Sequence, residues 1–190
     1  DGLDFDDNDQ FCLDGQRLIE IQNSSCTSCM AEFRTAINGL YKIELYGLIG
    51  NPSHFIVRTK AGQVKYYGAS NSEHYGRTDY NDSRVESSGL GVPYLWLLSR
   101  EEDSVGNYMT YSYVEDSIVG AIRIDRIDYT GNLNTSGTEL IPSASVVFNF
   151  EPRTDVITGF ISGSKLTTSE RLHSIATYVG KKSASNHIHL

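Results

Sequence analysis

The chain holds no apolar run approaching the roughly 18 residues that a membrane-spanning helix needs, which excludes insertion by a helical segment. It is also short of bases: 16 Lys and Arg stand against 24 Asp and Glu, for a net charge of −8. Apart from Lys181-Lys182 these cations are scattered singly, so neither nucleic acid nor an anionic membrane surface is expected as a partner, because phosphate binding rests on grouped Lys and Arg. Cysteine is scarce. Three residues, Cys12, Cys26 and Cys29, exclude a full disulfide framework and leave room for at most one bridge within the chain. Methionine is missing from the first position, and DGLDFDDND is the opposite of a signal peptide's basic then apolar profile. The chain therefore reads as a fragment or processed product, with any targeting signal lying outside it.

What is present is a strand-rich pattern. With 39% hydrophobic and 21% charged residues the composition is that of an ordinary globular protein, and 17 Gly with 12 Tyr suit a sheet. Strand-like pieces recur: QRLIEIQ (16–22), EFRTAI (32–37), YKIELYG (41–47), HFIVRTK (54–60), VKYYGA (64–69), AIRIDRIDY (121–129) and SVVFNFE (145–151). Ala61-Gly62-Gln63 and Thr130-Gly131-Asn132 read as short hairpin connections. In AIRIDRIDY the apolar phase shifts after Ile124, which predicts a bulge near Asp125 and Arg126. Leu172, Ile175, Ala176 and Val179 fit both helical spacing and alternation, and the β-branched content of SIATYV favours a strand. Residues 70–91 carry no periodicity and many Ser, Asn, Asp and Gly, so they are expected to form a long surface excursion. The fold class is all-β, an antiparallel sheet or sandwich-like module, as one region over residues 1–190.

The stretch YLWLLSREEDSVGNYMTYSY (94–113) sets three acids between two apolar, aromatic-rich segments. Residues 107–114 alternate as a half-buried strand does, and Ser104-Val105-Gly106-Asn107 supplies residues that tolerate positive φ. Glu101, Glu102 and Asp103 are therefore expected to flank a hairpin turn as solvated charges rather than to form a catalytic cluster.

Taken in order, CLDGQRL (12–18), FRT (33–35), FIVRTKAGQVKYYG (55–68), WLLSREEDSVGNYMTYSY (96–113), RIDYTGN (126–132) and VVFNFEPRTDVITGF (146–160) resemble the SpvB-type N-terminal region. That region is shared by virulence-plasmid SpvB proteins, insecticidal toxin-complex B components and Rhs/YD-repeat proteins. The lead SSCTSCMAE before Phe33-Arg34-Thr35 departs from the family's shorter one. The resemblance implies a structural module that contributes strands to a β-rich shell enclosing or presenting a toxic cargo. It also implies partners in the rest of its own protein and in other toxin-complex components, and a secreted or cell-surface location. The family's transferase activity belongs to a separate C-terminal domain, so no enzymatic activity is expected here. A glycan-binding or adhesive β-sandwich is the alternative, and an enzyme ranks third.

No catalytic residue or cofactor is expected. Cys26 and Cys29 form a C-x-x-C, which is half a zinc site or a redox pair, but Cys12, His54, His74 and His173 show no ligand spacing to complete it. Asp4, Asp6, Asn8 and Asp9 resemble the opening of a calcium loop, and the pattern then fails, because Asp9 stands where Gly is needed and Gly15 where Glu is. Ser, His and Asp co-occur without a nucleophile elbow. His187 and His189 lie in a terminus expected to be mobile. Trp96 is a sugar-stacking platform or a core residue, and its apolar neighbours in VPYLWLL favour the core. The expected core is Trp96, Leu97, Leu98, Val147 or its neighbours Val146 and Phe148, and Phe150, with replacement of a buried Phe148 by Ala costing about 3–5 kcal/mol.

Overall fold

The computed structural model describes residues 5, 9–22, 26–37, 39–68, 83–87, 91–116, 120–134, 136–161, 163–179 and 188–189. In chain order its strands are β1 (Cys12–Leu13), β2 (Gln16–Glu20), β3 (Ala31–Thr35), β4 (Lys42–Leu48), β5 (Asn51–Arg58), β6 (Val64–Gly68), β7 (Arg84–Glu86) and β8 (Pro93–Trp96). They continue with β9 (Leu98–Glu102), β10 (Asn107–Asp116), β11 (Ala121–Leu133), β12 (Glu139–Leu140), β13 (Ala144–Ile161), β14 (Ser164–Val179) and β15 (Ile188–His189). No helix occurs among the described residues. Thirteen strands make one antiparallel sheet in the order β1-β2-β3-β4-β5-β6-β9-β10-β11-β13-β14-β15, with β12 beside β11. β7 and β8 pair as a separate ribbon, so the chain leaves the sheet after β6 and re-enters it at β9. The all-β expectation is met.

Strict alternation in β3, β4 and β5 sends two different sets of side chains to the two faces. On one face Phe33, Ile43 and Val57 stand opposite one another across the three strands, as do Ala31, Leu45 and Phe55. With Leu18 they form the core, and Phe11, Leu13, Tyr41, Tyr67 and Trp96 pack against it. Phe11 closes this core edge-on, 5.8 Å from Phe33, 5.2 Å from Phe55 and 5.8 Å from Trp96 between ring centroids. The opposite face carries a single row of partners across eight strands: Glu32, Glu44, Ile56, Tyr66, Arg100, Thr110, Asp128 and Ser145. All eight are buried.

Buried charge is tolerated only when it is paired. Along this row Arg34 lies 2.6 Å from Glu32, Lys42 lies 2.7 Å from Glu44, and Arg58 donates to Glu44 at 3.2 Å. Hydrogen bonding to Glu44 raises the Lys42 pKa. Further along, Arg100 reaches Glu102 at 3.0 Å, and Arg126 bonds Asp128 at 2.6 Å and Ser145 at 3.1 Å.

Several expectations are corrected here. Thr130-Gly131-Asn132 is not a hairpin connection but lies inside β11. The chain bulges instead of turning, with Thr130 at φ 73° and a register shift against Tyr108 and Thr110. Gly131 is required because the Tyr108 ring lies where a Cβ would project, with the Arg100 guanidinium 3.7 Å from the ring centroid. The bulge predicted at Asp125 is present, since Ser112 pairs Arg126 and Tyr113 pairs Ile124, leaving Asp125 over. SIATYV is a strand, inside β14. Within 70–91, residues 83–87 are not a surface excursion: Val85 sits in strand β7, and Ser83, Val85 and Ser87 are buried. Residues 69–82 and 88–90 lie outside the described ones. His189 belongs to β15, which pairs β14 at Tyr178 and Val179, and His187 lies outside the described residues.

The expected core is the largest correction. Trp96, Leu97, Leu98, Val146, Val147, Phe148 and Phe150 are all only half-buried, and the centre lies between β2 and β5 instead. A strand becomes core only if something covers its face. The N-terminal half of the sheet is covered by Phe11 and the β7–β8 ribbon, whereas β13 pairs β11 only over Ala144–Val147 and then continues paired with β14 as a long arm.

Candidate functional site

The acidic shoulder is a hairpin, as expected, but its three carboxylates have separate structural tasks. Glu101 accepts from the Tyr111 hydroxyl at 3.2 Å and lies 3.6 Å from Lys65. Glu102 holds buried Arg100. Asp103 caps the turn: its carboxylate accepts from the backbone N–H of Val105 and of Asn107, each at 2.9 Å, and from the Asn107 side chain at 2.8 Å. The Asn107 side-chain amide, followed by these backbone donors, holds the Asp103 pKa below the usual carboxylate value. All three residues are half-buried rather than free in water, so the reading of them as solvated charges is corrected. Gly106 has φ 84°, and its carbonyl accepts from Leu133 N at 2.8 Å, which docks the turn onto the end of β11.

Beside this hairpin lies a patch of tyrosines on the face that carries the core. Tyr67 and Tyr113 are pushed up to about 12 chiefly by burial. Tyr111 is pushed up to about 12 by burial and then by the charge of Glu101. The hydroxyl of Tyr113 donates to the Leu98 carbonyl at 2.8 Å. These groups stay protonated near neutral pH, and Tyr111 and Tyr113 serve as hydrogen-bond donors.

An aromatic cleft of about 600 Å3 opens between the N-terminal segment and the ribbon, with Phe5, Phe11, Pro52, Phe55, Tyr94 and Trp96 among its walls. Trp96 does not offer itself as a sugar platform. Its indole N–H donates to the Pro52 carbonyl at 3.1 Å, and its ring meets Phe11 and Phe55 at 75° and 83°.

Ser53 and His54 come within 3.0 Å, Oγ to Nδ1, with Tyr46 stacked on His54 at 4.6 Å. The Ser53 hydroxyl donates to the Tyr46 carbonyl at 3.1 Å, so its proton is committed there and Nδ1–H is the donor to Oγ. That polarity is the reverse of what activates a serine. Cys26 and Cys29 are joined as a disulfide, and Cys12 is an exposed free thiol. His173 pairs Glu151 at 2.9 Å. No group of three or more His, Cys, Asp or Glu poised for a metal occurs among the described residues. Asp4, Asp6 and Asn8 lie outside the described residues, so the calcium-like pattern is carried by Asp9 alone, which accepts from Phe5 N at 2.7 Å.

The feature that composition does not announce is the arm. Among its polar residues it leaves large apolar side chains in the open: Phe160 is 69% exposed, Ile175 55% and Leu172 48%, with Val156, Ile157 and Val179 also exposed. Ion pairs punctuate it, Arg123 with Glu170 at 2.5 Å and Arg171 with Glu151 at 2.7 Å. Beyond Tyr178 and Val179, where β15 pairs, the outer edge of β14 carries no strand among the described residues.

No family model and no curated protein sequence matches the chain. Solved structures do. The N-terminal domain of effector protein SpvB from Salmonella typhimurium strain LT2 aligns with a TM-score of 0.71 at 12% identity, over 94% of this chain and 72% of that one. TcdB2-TccC3-TEV aligns at 0.70 and 13% identity, over 94% of this chain and 11% of that one. The Photorhabdus luminescens Tc holotoxin pore carrying TccC3-D651A aligns at 0.74 and 13% identity, over 99% of this chain and 11% of that one. The chain thus spans about a tenth of the toxin-complex chains it matches, and its fold is that of the SpvB N-terminal domain and of these toxin components.

Proposed function

We propose that this chain is a non-enzymatic structural module of an SpvB-type toxin or surface protein, contributing strands to a β-rich shell that encloses or presents a toxic segment. The observation that carries this reading is the β13–β14 arm. It exposes several large apolar side chains and most of one strand edge, two features that a finished, free-standing domain suppresses. A wall segment needs both, because it must be continued by further strands and covered by further chain. The similarity to toxin-complex components supports partners in the rest of the same protein and in other components of such a complex, acting outside the producing cell. The glycan-binding alternative has no comparable support, since Trp96 is engaged on Pro52, Phe11 and Phe55.

Phe160→Asp with Ile175→Asp, made in the intact parent protein, tests the reading. Both side chains are exposed, so strand content by circular dichroism should be unchanged, while assembly by size exclusion and resistance to limited proteolysis should be lost. Full assembly and protection in the double variant would overturn the proposal. Reproducible binding on a glycan array would transfer it to the adhesive alternative.

A further inference from the structure

Cys26 and Cys29 are bonded across the connection between β2 and β3, with exposed Thr27 and Ser28 between them. The bond is not what keeps these strands together. β2 and β3 pair from Leu18 opposite Thr35 to Glu20 opposite Phe33, the Ile21 N–H donates to Glu32 O at 2.8 Å, and the Met30 N–H donates to Leu45 O at 2.8 Å. Main-chain bonds therefore flank the bridge on both sides. A ring closed over a separation of three residues also restricts the unfolded chain far less than a long loop does, so its entropic contribution sits at the weak end for a disulfide. Both cysteines are half-buried, placing the sulfurs at the surface of the connection rather than in the core.

The two sulfurs are not equivalent. The backbone N–H of Cys29 donates to Cys26 Sγ at 3.1 Å. A donor aimed at a sulfur favours its thiolate, and the better-stabilised thiolate is the better leaving group in exchange.

We propose that Cys26–Cys29 is a thiol–disulfide exchange site, acted on by a dithiol reductant and restored by a disulfide oxidant. One thiolate of the reductant attacks Cys29 Sγ. The Sγ–Sγ bond breaks, its electron pair leaves with Cys26 as thiolate, and a mixed disulfide forms between Cys29 and the reductant. The second thiolate of the reductant then attacks its own sulfur in that mixed disulfide and expels Cys29 as thiolate. Two electrons pass to the protein, the reductant becomes a disulfide, and its two thiol protons end on Cys26 and Cys29. Oxidation runs the same steps backwards. This assignment is independent of the shell reading, because it concerns the β2–β3 connection and not the arm.

The test uses the full chain carrying Cys12→Ser, which removes the exposed free thiol. The native protein is equilibrated in graded dithiothreitol and, separately, in glutathione redox buffers, quenched with iodoacetamide and read by peptide mass spectrometry. Thermal unfolding is followed in parallel. The expected result is full reduction by dithiothreitol without unfolding, a partly reduced population within the glutathione series, and a melting temperature within about 2 °C of the oxidised protein. In the reduced protein Cys26 should alkylate at least about 3-fold faster than Cys29 at pH 7, as its stabilised thiolate requires. In Cys26→Ser, which leaves no resolving thiol, the glutathione mixed disulfide should accumulate on Cys29. A bridge that opens only on unfolding, equal alkylation rates, or failure of Cys26→Ser to fold would each overturn the assignment.

Discussion

Gly106 and Asp103 hold the acidic hairpin by different means. At φ 84° a side chain is strained, and a Cβ on Gly106 would run into the Leu133 carbonyl oxygen. Gly106→Val should therefore cost about 3 kcal/mol or more, from the backbone strain and the displaced contact together, read as a fall in denaturant midpoint. Asp103→Ala should also lower the midpoint, because two backbone N–H groups and an amide lose their acceptor. Its effect has a pH signature. The folded-state pKa of Asp103 is depressed, so its contribution is present above the ordinary carboxylate value near 3.8 and is lost as pH falls through the folded value. The melting difference between Asp103→Ala and the unaltered chain should shrink on acidification over that window; a difference independent of pH would refute the cap. Glu102→Gln tests a separate pair, since Glu102 faces buried Arg100.

At the level of elements, the same kind of strand has opposite worth in the two halves of the sheet. Leu45 in β4 is 0% exposed, with β3 and β5 on either side and Phe11 and Trp96 closing the core above it. Leu45→Ala should cost about 2–5 kcal/mol, from lost transfer energy and a cavity that β-strands cannot collapse to fill. Phe148 in β13 is half-buried and pairs Ile175, which is itself 55% exposed. Phe148→Ala should cost less, about 1.5 kcal/mol in the isolated chain, because the side chain is only partly buried and lies outside the core. Equilibrium unfolding of both variants checks the contrast. Equal losses would mean that the arm is covered in a way these strands do not reveal.

For the whole molecule, alkaline stability is set by the tyrosine patch. Tyr67, Tyr111 and Tyr113 ionise near 10 when unfolded and at about 12 when folded, chiefly because burial penalises the phenolate. A raised folded pKa contributes stability that is complete below pH 10 and is lost as pH rises through about 12. The melting temperature should accordingly fall steeply between pH 10 and 12, and Tyr67→Phe should flatten that decline while leaving the neutral region nearly level. An unchanged slope in Tyr67→Phe would show that its hydroxyl is not shielded. The row from Glu32 to Ser145 acts at this scale too: one buried line of partners crosses eight strands, so a one-residue slip of β3, β4, β9 or β11 would carry its buried charge out of line.

Period-two alternation and turn chemistry are local, and they sufficed for the strands, the Gly106 hairpin, the Asp125 bulge and the strand at SIATYV. An ordered set of short motifs sufficed for the fold likeness to SpvB and the toxin components, although identity is only 12–13%. Which face is inside is not local. VVFNF reads as core as well as FIV does, yet Phe55 and Val57 are buried in the core while Val147 and Phe148 are only half-buried, because a covering layer reaches one half of the sheet and not the other. Thr130-Gly131-Asn132 has the residues of a turn, and only the Tyr108 ring and the pairing of β11 with β10 make it a bulge. Glu32, Glu44, Arg100 and Asp128 look like ordinary surface charges in sequence: each has a counter-charge two residues away on its own strand, but the cross-strand neighbours that bury them lie up to dozens of positions away. Only tertiary structure, by deciding what each face meets, could place them inside.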